Sequence, residues 1–291
     1  MTAIQTNALT KCYGTSRGIL DVDLSVEEGD FFGFIGPNGA GKSTTIRTLL
    51  GLIAPTRGTA EIFGKDITKH KESILAEIGY MPGEANFYPG MKVREIIKLS
   101  SALRKKDCTD EAKRLCERLE LDTEKLIGTL SLGNRKKVSI VCALQHRPRL
   151  CILDEPTSGL DPLMQREFYS ILEEHNKAGA TVFLSSHILS EVQKYCSRAA
   201  VIREGRLLVT DTIDRLGHTK AKRVTLRGVD APPELEGIRN VRKTDDAVSF
   251  LFGGKPDILL RALSALPLSD VSITEPSLEE VFLHYYTKEE A

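Results

Sequence analysis

The stretch that decides the fold is "FFGFIGPNGAGKSTTIRTLLGLI", residues 31–53. "FFGFI" is short and continuously apolar, as a strand buried on both faces must be. "GPNGAGKST" follows and satisfies G-x-x-x-x-G-K-[ST] with Gly36, Gly41, Lys42 and Ser43. Glycines let backbone N–H groups curl around phosphate oxygens, a lysine reaches the outer phosphates, and the hydroxyl of the last residue binds Mg²⁺. "KSTTIRTLLGLI" then reads as a helix with Ile46, Leu49, Leu50 and Ile53 on one face, its N-terminus pointing at the same anion. A strand before and an amphipathic helix after set this loop apart from a fortuitous Gly-rich turn.

Moving outward, residues 1–35 alternate in strand fashion, and "TRGTAEIFG" reads as a turn and another strand. Residues from about 89 to 146 are helical in pattern, with "VREIIKLSSAL", "DEAKRLCERLEL" and "NRKKVSIVCALQ" each amphipathic. Strands and helices alternate afterwards: "RLCILDEP", "PLMQREFYSILEEHNKAG", "ATVFLSSH", "ILSEVQKYC" and "RAAVIREG". Such alternation implies right-handed crossovers and a parallel sheet. A break falls near "RLGHTKA", residues 215–221. Beyond it, "KRVTLRG", "AVSFLF" and "DVSIT" read as strands, and "PDILLRALSAL" and "SLEEVFLHYY" as helices. Val248, Phe250 and Phe252 alternate and are most simply core, and Tyr285 and Tyr286 are read as packing.

The chain has 291 residues, enough for a large domain and a small one, and 40 basic against 40 acidic residues leave no net charge. No global field therefore argues for nucleic acid or an acidic membrane as partner. The six cysteines are scattered without a C-x-x-C, which fits reduced thiols. "MTAIQTNALTKCYG" lacks the long apolar run of a secretory signal, and no stretch approaches the roughly 18 apolar residues of a membrane span.

Two further strand ends carry chemistry. "LCILDE" ends in Asp154 and Glu155, at the edge where ligands gather in parallel α/β sheets. Asp154 is suited to hold Mg²⁺, and Glu155 to orient or deprotonate an attacking water. His187 ends "VFLSSH" in an equivalent position and is a candidate to contact an outer phosphate. "GTLSLGNRKKVSIV", residues 128–141, poses a puzzle. Ser131 is a good N-cap, yet Arg135, Lys136 and Lys137 stand near the helix end that repels cations. Solvated side chains pointing away are the expectation for these three.

Together these residues resemble the nucleotide-binding subunit of an ATP-binding cassette (ABC) transporter, over about residues 1–215. Tyr13 fits the adenine-stacking aromatic, "GPNGAGKST" the Walker A motif, "LSLGN" the LSGGQ-type motif, "LCILDEP" Walker B, "SGLD" the D-loop and "SSH" the switch histidine. "EPSLEEVFLHYY" is similar to the end of ATPases paired with ABC-2-type permeases, including drug- and antibiotic-resistance exporters. The resemblance implies a P-loop NTPase of the α/β class. It would have a RecA-like parallel sheet, an antiparallel β subdomain and a helical subdomain over about 89–146. Residues 1–216 would form the ATP-binding domain and 217–291 a small α+β accessory domain.

The resemblance also implies chemistry. ATP and Mg²⁺ are the expected ligands, with Tyr13, Gly36, Asn38, Gly39, Ala40, Gly41, Lys42, Ser43 and Thr44 contacting ATP, and Ser43 and Asp154 holding the metal. Glu155 and His187 would be catalytic. Two cassettes, identical or different, would face each other head to tail, with Ser131, Gly133 and Asp161 contacting the nucleotide of the opposite subunit. A separate ABC-2-like permease would hold the ATPase on the cytoplasmic face of the membrane. The alternative reading is a soluble single-cassette ATPase acting on a nucleic-acid or ribosomal partner.

The sequence departs from the family pattern twice. Leu132 and Asn134 replace the first glycine and the glutamine of LSGGQ, and Leu132 could pack on the helix that follows. In "IGYMPGEANFYPG", Gly83 stands where a glutamine near Mg²⁺ is usual, and Glu84, one residue on, could substitute.

Overall fold

The computed structural model describes all residues except 15, 218–220, 245 and 277–291. The segment "SLEEVFLHYY", with Tyr285 and Tyr286, lies outside the described residues. The chain divides into two compact units, Met1–Asp211 and Thr212–Ala291.

In the first unit, β1 (Thr2–Tyr13), β2 (Ser16–Val22) and β3 (Ser25–Glu27) lead to β4 (Phe31–Ile35) and α1 (Lys42–Leu49). β5 (Arg57–Ile62), β6 (Lys65–Asp66), α2 (Lys71–Glu77) and β7 (Ile78–Met81) follow. Next come three helices, α3 (Val93–Leu103), α4 (Thr109–Arg118) and α5 (Leu132–Leu144). The unit closes with β8 (Leu150–Asp154), α6 (Pro162–Lys177), β9 (Thr181–Ser186), α7 (Leu189–Tyr195), β10 (Arg198–Arg203) and β11 (Arg206–Thr212).

The central sheet has the order β11-β10-β4-β9-β8-β7, and from β10 to β7 its neighbours pair in parallel. Every residue of β4, β8 and β9 is buried, which explains their uninterrupted apolar character. Phe183 of β9 meets Phe32 and Phe34 of β4, with ring centroids 5.9 and 5.3 Å apart. A second, antiparallel sheet is built on the long strand β1, which pairs with β2, β3 and β5, while β6 pairs with β5. Ile4, Leu9, Ile19 and Ile62 from this sheet share one core with Phe32, Phe34 and Ile46. The helical layer is tied to the sheet layer by ion pairs: Arg118 of α4 meets Glu167 (2.5 Å) and Glu174 (2.6 Å) of α6.

The expected helix over 42–53 ends at Leu49. Gly51, at φ +62°, turns the chain away, and Ile53 lies beyond the helix and only half-buried. The sequence reading passed over β6, α2, β7, β11 and the strand over residues 238–243.

The second unit begins with α8 (Ile213–Gly217), so the expected division at 216/217 falls at the end of this helix and the structural one just before it. β12 (Lys222–Arg227), β13 (Ile238–Lys243), β14 (Val248–Phe252), α9 (Pro256–Ser264) and β15 (Asp270–Thr274) follow. The strands form an antiparallel sheet in the order β13-β14-β12-β15. Val248, Phe250 and Phe252 are core, as their alternation predicts, and pack with Val224, Leu226, Leu259 and Leu263.

Candidate functional site

The parallel register brings the candidate residues to one edge. Ile35, at the end of β4, pairs with Ser186 of β9, and Ser185 pairs with Asp154 of β8. β9 therefore lies between the strand that feeds the phosphate loop and the strand that ends in two carboxylates. His187, the residue after β9, emerges between them.

Gly41 caps α1 at φ +111°, a conformation that a side chain would strain. From this turn Lys42 folds back over the loop. Its Nζ donates to the carbonyls of Gly36 (2.6 Å) and Pro37 (3.2 Å) and lies 3.1 Å from Oε1 of Glu155. Ala40 is buried, whereas Asn38 and Gly39 are exposed, and Ser43 and Thr44 are half-buried at the helix start. A row of loop amides followed by a helix N-terminus is an anion cradle, and Lys42 supplies its countercharge.

Tyr13 stands at the end of β1 with 47% of its surface exposed. A Cβ built on Gly18 would lie 3.0 Å from the Tyr13 ring and 3.2 Å from the Thr44 methyl, so both residues border the same glycine. An exposed aromatic face beside the phosphate loop is suited to stack on a flat ring.

Asp154 is 3% exposed, and its Oδ1 accepts a 2.6 Å hydrogen bond from the Ser185 hydroxyl. Residue 83, rather than 84, turns toward it: a Cβ on Gly83 would lie 3.7 Å from Oδ2 of Asp154, while the Glu84 side chain is exposed. Glu155 adopts φ +48°, a left-handed conformation uncommon for a residue with a side chain. Its amide donates to the carbonyl and hydroxyl oxygens of Ser185, both at 3.2 Å. Its carboxylate spans two partners, Lys42 through Oε1 and His187 Nδ1 through Oε2 at 2.5 Å. Lysine, glutamate and histidine thus form one continuous chain across the strand ends.

The helix start that posed the charge puzzle is resolved by packing. Ser131 caps α5, its hydroxyl accepting from the Asn134 amide at 3.3 Å. Arg135 is half-buried and donates to the Leu130 carbonyl at 3.0 Å. Lys136 corrects the expectation of solvated cations: it is 1% exposed, and its Nζ donates to the Glu155 carbonyl at 3.0 Å. Burial pulls its ammonium below the ordinary lysine range, opposed by the nearby charges of Asp154 and Glu155. Lys137 is also nearly buried.

Leu132 is 53% exposed, and its Cδ2 would meet a Cβ on Gly159 at 3.1 Å, so it lies over the SGLD loop. A Cβ on Gly133 would come within 2.7 Å of the Gly159 carbonyl oxygen, a close approach that only glycine permits. Asp161 caps α6 and accepts from the amides of Leu163 and Met164, each at 3.0 Å.

Mg²⁺ takes one or two protein ligands together with substrate phosphates more often than a cage of side chains. Among the described residues no three His, Cys, Asp or Glu converge on one point. The buried Asp154 carboxylate, at the strand edge that also holds the phosphate loop, fits such a partial donor set.

The model of the ABC transporter family matches residues 19–158. Over 222 residues the chain is 42% identical to the bacitracin transport ATP-binding protein BcrA of Bacillus licheniformis, covering 74% of this chain and 71% of that protein. It is 31% identical to the linearmycin resistance ATP-binding protein LnrL of Bacillus subtilis (strain 168), with 97% of each chain covered. Among solved structures, one described as the ATP-binding subunit of an ABC transporter superposes with a TM-score of 0.69. It shares 31% identity over 74% of this chain and 92% of that one.

Proposed function

The chain belongs to the ABC transporter family as one of its ATP-binding, ATP-hydrolysing subunits, and from that premise we propose that it drives export through a separate membrane permease. The observation that carries the catalytic reading is the Lys42–Glu155–His187 chain beside Asp154. An incoming terminal phosphate would compete with Glu155 for Lys42 and release the carboxylate toward water. Glu155 would act as the base, and His187, half exposed, would hold the carboxylate or meet the phosphate. Asn38, Gly39, Ala40, Gly41 and Thr44 would line the phosphates, and Tyr13 would stack on adenine. Ser43 and Asp154 would hold Mg²⁺, which neutralises developing phosphate charge when bound.

Ser131 and Gly133 would complete the site of a second cassette, with Asp161 at the same face, so turnover would require a homodimer or heterodimer. A groove of about 720 Å³ fits the permease contact; Leu75, Phe87, Tyr88, Leu99 and Leu103 line it, with Tyr88 and Leu103 largely exposed. No helix among the described residues is long and apolar enough to cross a membrane. The chain would work from the cytoplasmic face of the membrane through that groove. The relatives are named for bacitracin transport and linearmycin resistance, which favours export over a nucleic-acid or ribosomal partner.

Glu155→Gln tests the reading. It should bind ATP, dimerise with it and lose nearly all hydrolysis. A variant with normal turnover would remove Glu155 from the role of base.

A further inference from the structure

We propose that Lys136 is a positioning residue for Glu155, so that the helix presenting Ser131 and Gly133 also sets the carboxylate of its own chain's site. The inference rests on the reading of Glu155 as the base.

A lysine this buried needs a reason, because a long cationic side chain is rarely withdrawn from water unless it is paired. Lys136 is 1% exposed, and the group it reaches is the main-chain carbonyl of Glu155 at 3.0 Å. Glu155 is also one of nine described non-glycine residues with a left-handed backbone, at φ +48°. Strained backbone persists where surrounding structure over-determines it. Here both of its polar groups are held: the amide by Ser185, the carbonyl by Lys136. From that backbone the carboxylate reaches Lys42 and His187 together. Releasing the carbonyl lets the peptide relax toward ordinary φ and swings the carboxylate off this line.

The tie also joins two sites. Ser131 caps α5, and Lys136 stands five residues later, roughly 7.5 Å along the axis at 1.5 Å per residue. α5 is a rigid element with the half-site for another chain's nucleotide at its tip and the Glu155 carbonyl on its flank. A shift of the tip, when a second cassette docks, moves the lysine that holds the Glu155 carbonyl. The carboxylate is thereby aligned only while the helix is seated.

The test uses the full-length chain with Mg·ATP, in parental and Glu155→Gln backgrounds. Lys136→Met keeps the unbranched bulk and removes the donor; Lys136→Gln keeps a donor on a shorter arm. Lys136→Met should lower kcat at least about tenfold while the Kd for ATP stays within about twofold. Lys136→Gln should recover part of that loss, and neither change should lower turnover further beside Glu155→Gln. Full kcat with parental ATP binding in Lys136→Met overturns the proposal. So does a joint fall of kcat and ATP binding in both lysine variants, which marks a lysine that only fills space. If Lys136→Met fails to bind ATP, Lys136→Gln decides by the same kcat-against-Kd comparison. Normal turnover in Glu155→Gln removes the base itself, whereas its loss beside an unimpaired Lys136→Met removes the lysine alone.

Discussion

Gly133→Ala probes the contact between the start of α5 and the SGLD loop. The added Cβ would sit 2.7 Å from the Gly159 carbonyl oxygen, and the listener on the other side is backbone rather than a flexible side chain. Gly159 is itself at φ +83° and covered by Leu132, so the loop has little room to retreat. The helix tip must therefore move outward by a few tenths of an ångström or more. Overpacking of this kind costs about 1–3 kcal/mol. Alanine's better helix propensity, worth at most about 1 kcal/mol and less in a first turn, offsets part of it. The net of about 1–2 kcal/mol should lower Tm by roughly 2–8 °C, taking about 2–4 °C per kcal/mol for a unit of this size. Turnover should suffer more than stability, because Ser131 and the first amides of α5 would be misplaced against the opposite nucleotide. An ångström of misplacement costs about 10²-fold. Binding of ATP to the isolated chain, assigned above to the Gly36–Thr44 loop, should not change. Differential scanning fluorimetry, nucleotide titration and phosphate release measured together separate these effects. A Gly133→Ala chain with parental Tm and parental turnover would refute the close-packing argument.

Tyr13→Ala should weaken ATP binding by about 1–3 kcal/mol, roughly 5- to 150-fold, with Tyr13→Trp near parental; equal affinity for all three in a nucleotide titration would remove the stacking role. Glu84→Ala should leave the Mg²⁺ concentration for half-maximal turnover within about twofold, since its side chain is exposed; a tenfold rise would place Glu84 on the metal. His146 is 3% exposed, and burial, reinforced by Arg104, pulls its imidazole from 6.5 down to about 4. Between those values the unfolded chain binds a proton that the folded chain refuses. Stability is therefore present above pH 6.5 and lost as pH falls toward 4, by on the order of 1–3 kcal/mol. His146→Gln keeps an amide for the Ile78 carbonyl and should flatten that slope in denaturant titrations at pH 5 and 8; an unchanged slope would assign the acid sensitivity elsewhere.

What the sequence disclosed was what repeats locally. An apolar strand followed by a phosphate loop, and a run of apolar residues ending in two acids, are contiguous signals. β4, α1, β8 and β9 lie where those signals put them, apart from the last turn expected of α1. The strand β13 was overlooked because it has little to alternate: five of the six residues in "IRNVRK" are exposed. β7 was overlooked because "IGYM" is only four residues long and is secured by pairing with β8, each residue with a partner 72 positions on in the chain. Such pairing leaves no mark in a short window.

The cations after Ser131 show a different limit. A basic run at a helix start looks like a solvated face, and its one-dimensional pattern does not distinguish Arg135 from Lys136. What separates them is the rotation of 100° or so per residue around α5. That rotation leaves Arg135 half-buried beside Leu130 and sends Lys136 under the helix to the Glu155 carbonyl. The unfavourable placement near the positive helix end is offset by that carbonyl and by the nearby negative charges of Asp154 and Glu155. The charge that seemed misplaced in the sequence sits where the backbone of Glu155 presents its negative end. An arginine's broader fork or a glutamine's shorter arm would meet that carbonyl differently, so the identity of residue 136 bears on how firmly the carboxylate is held.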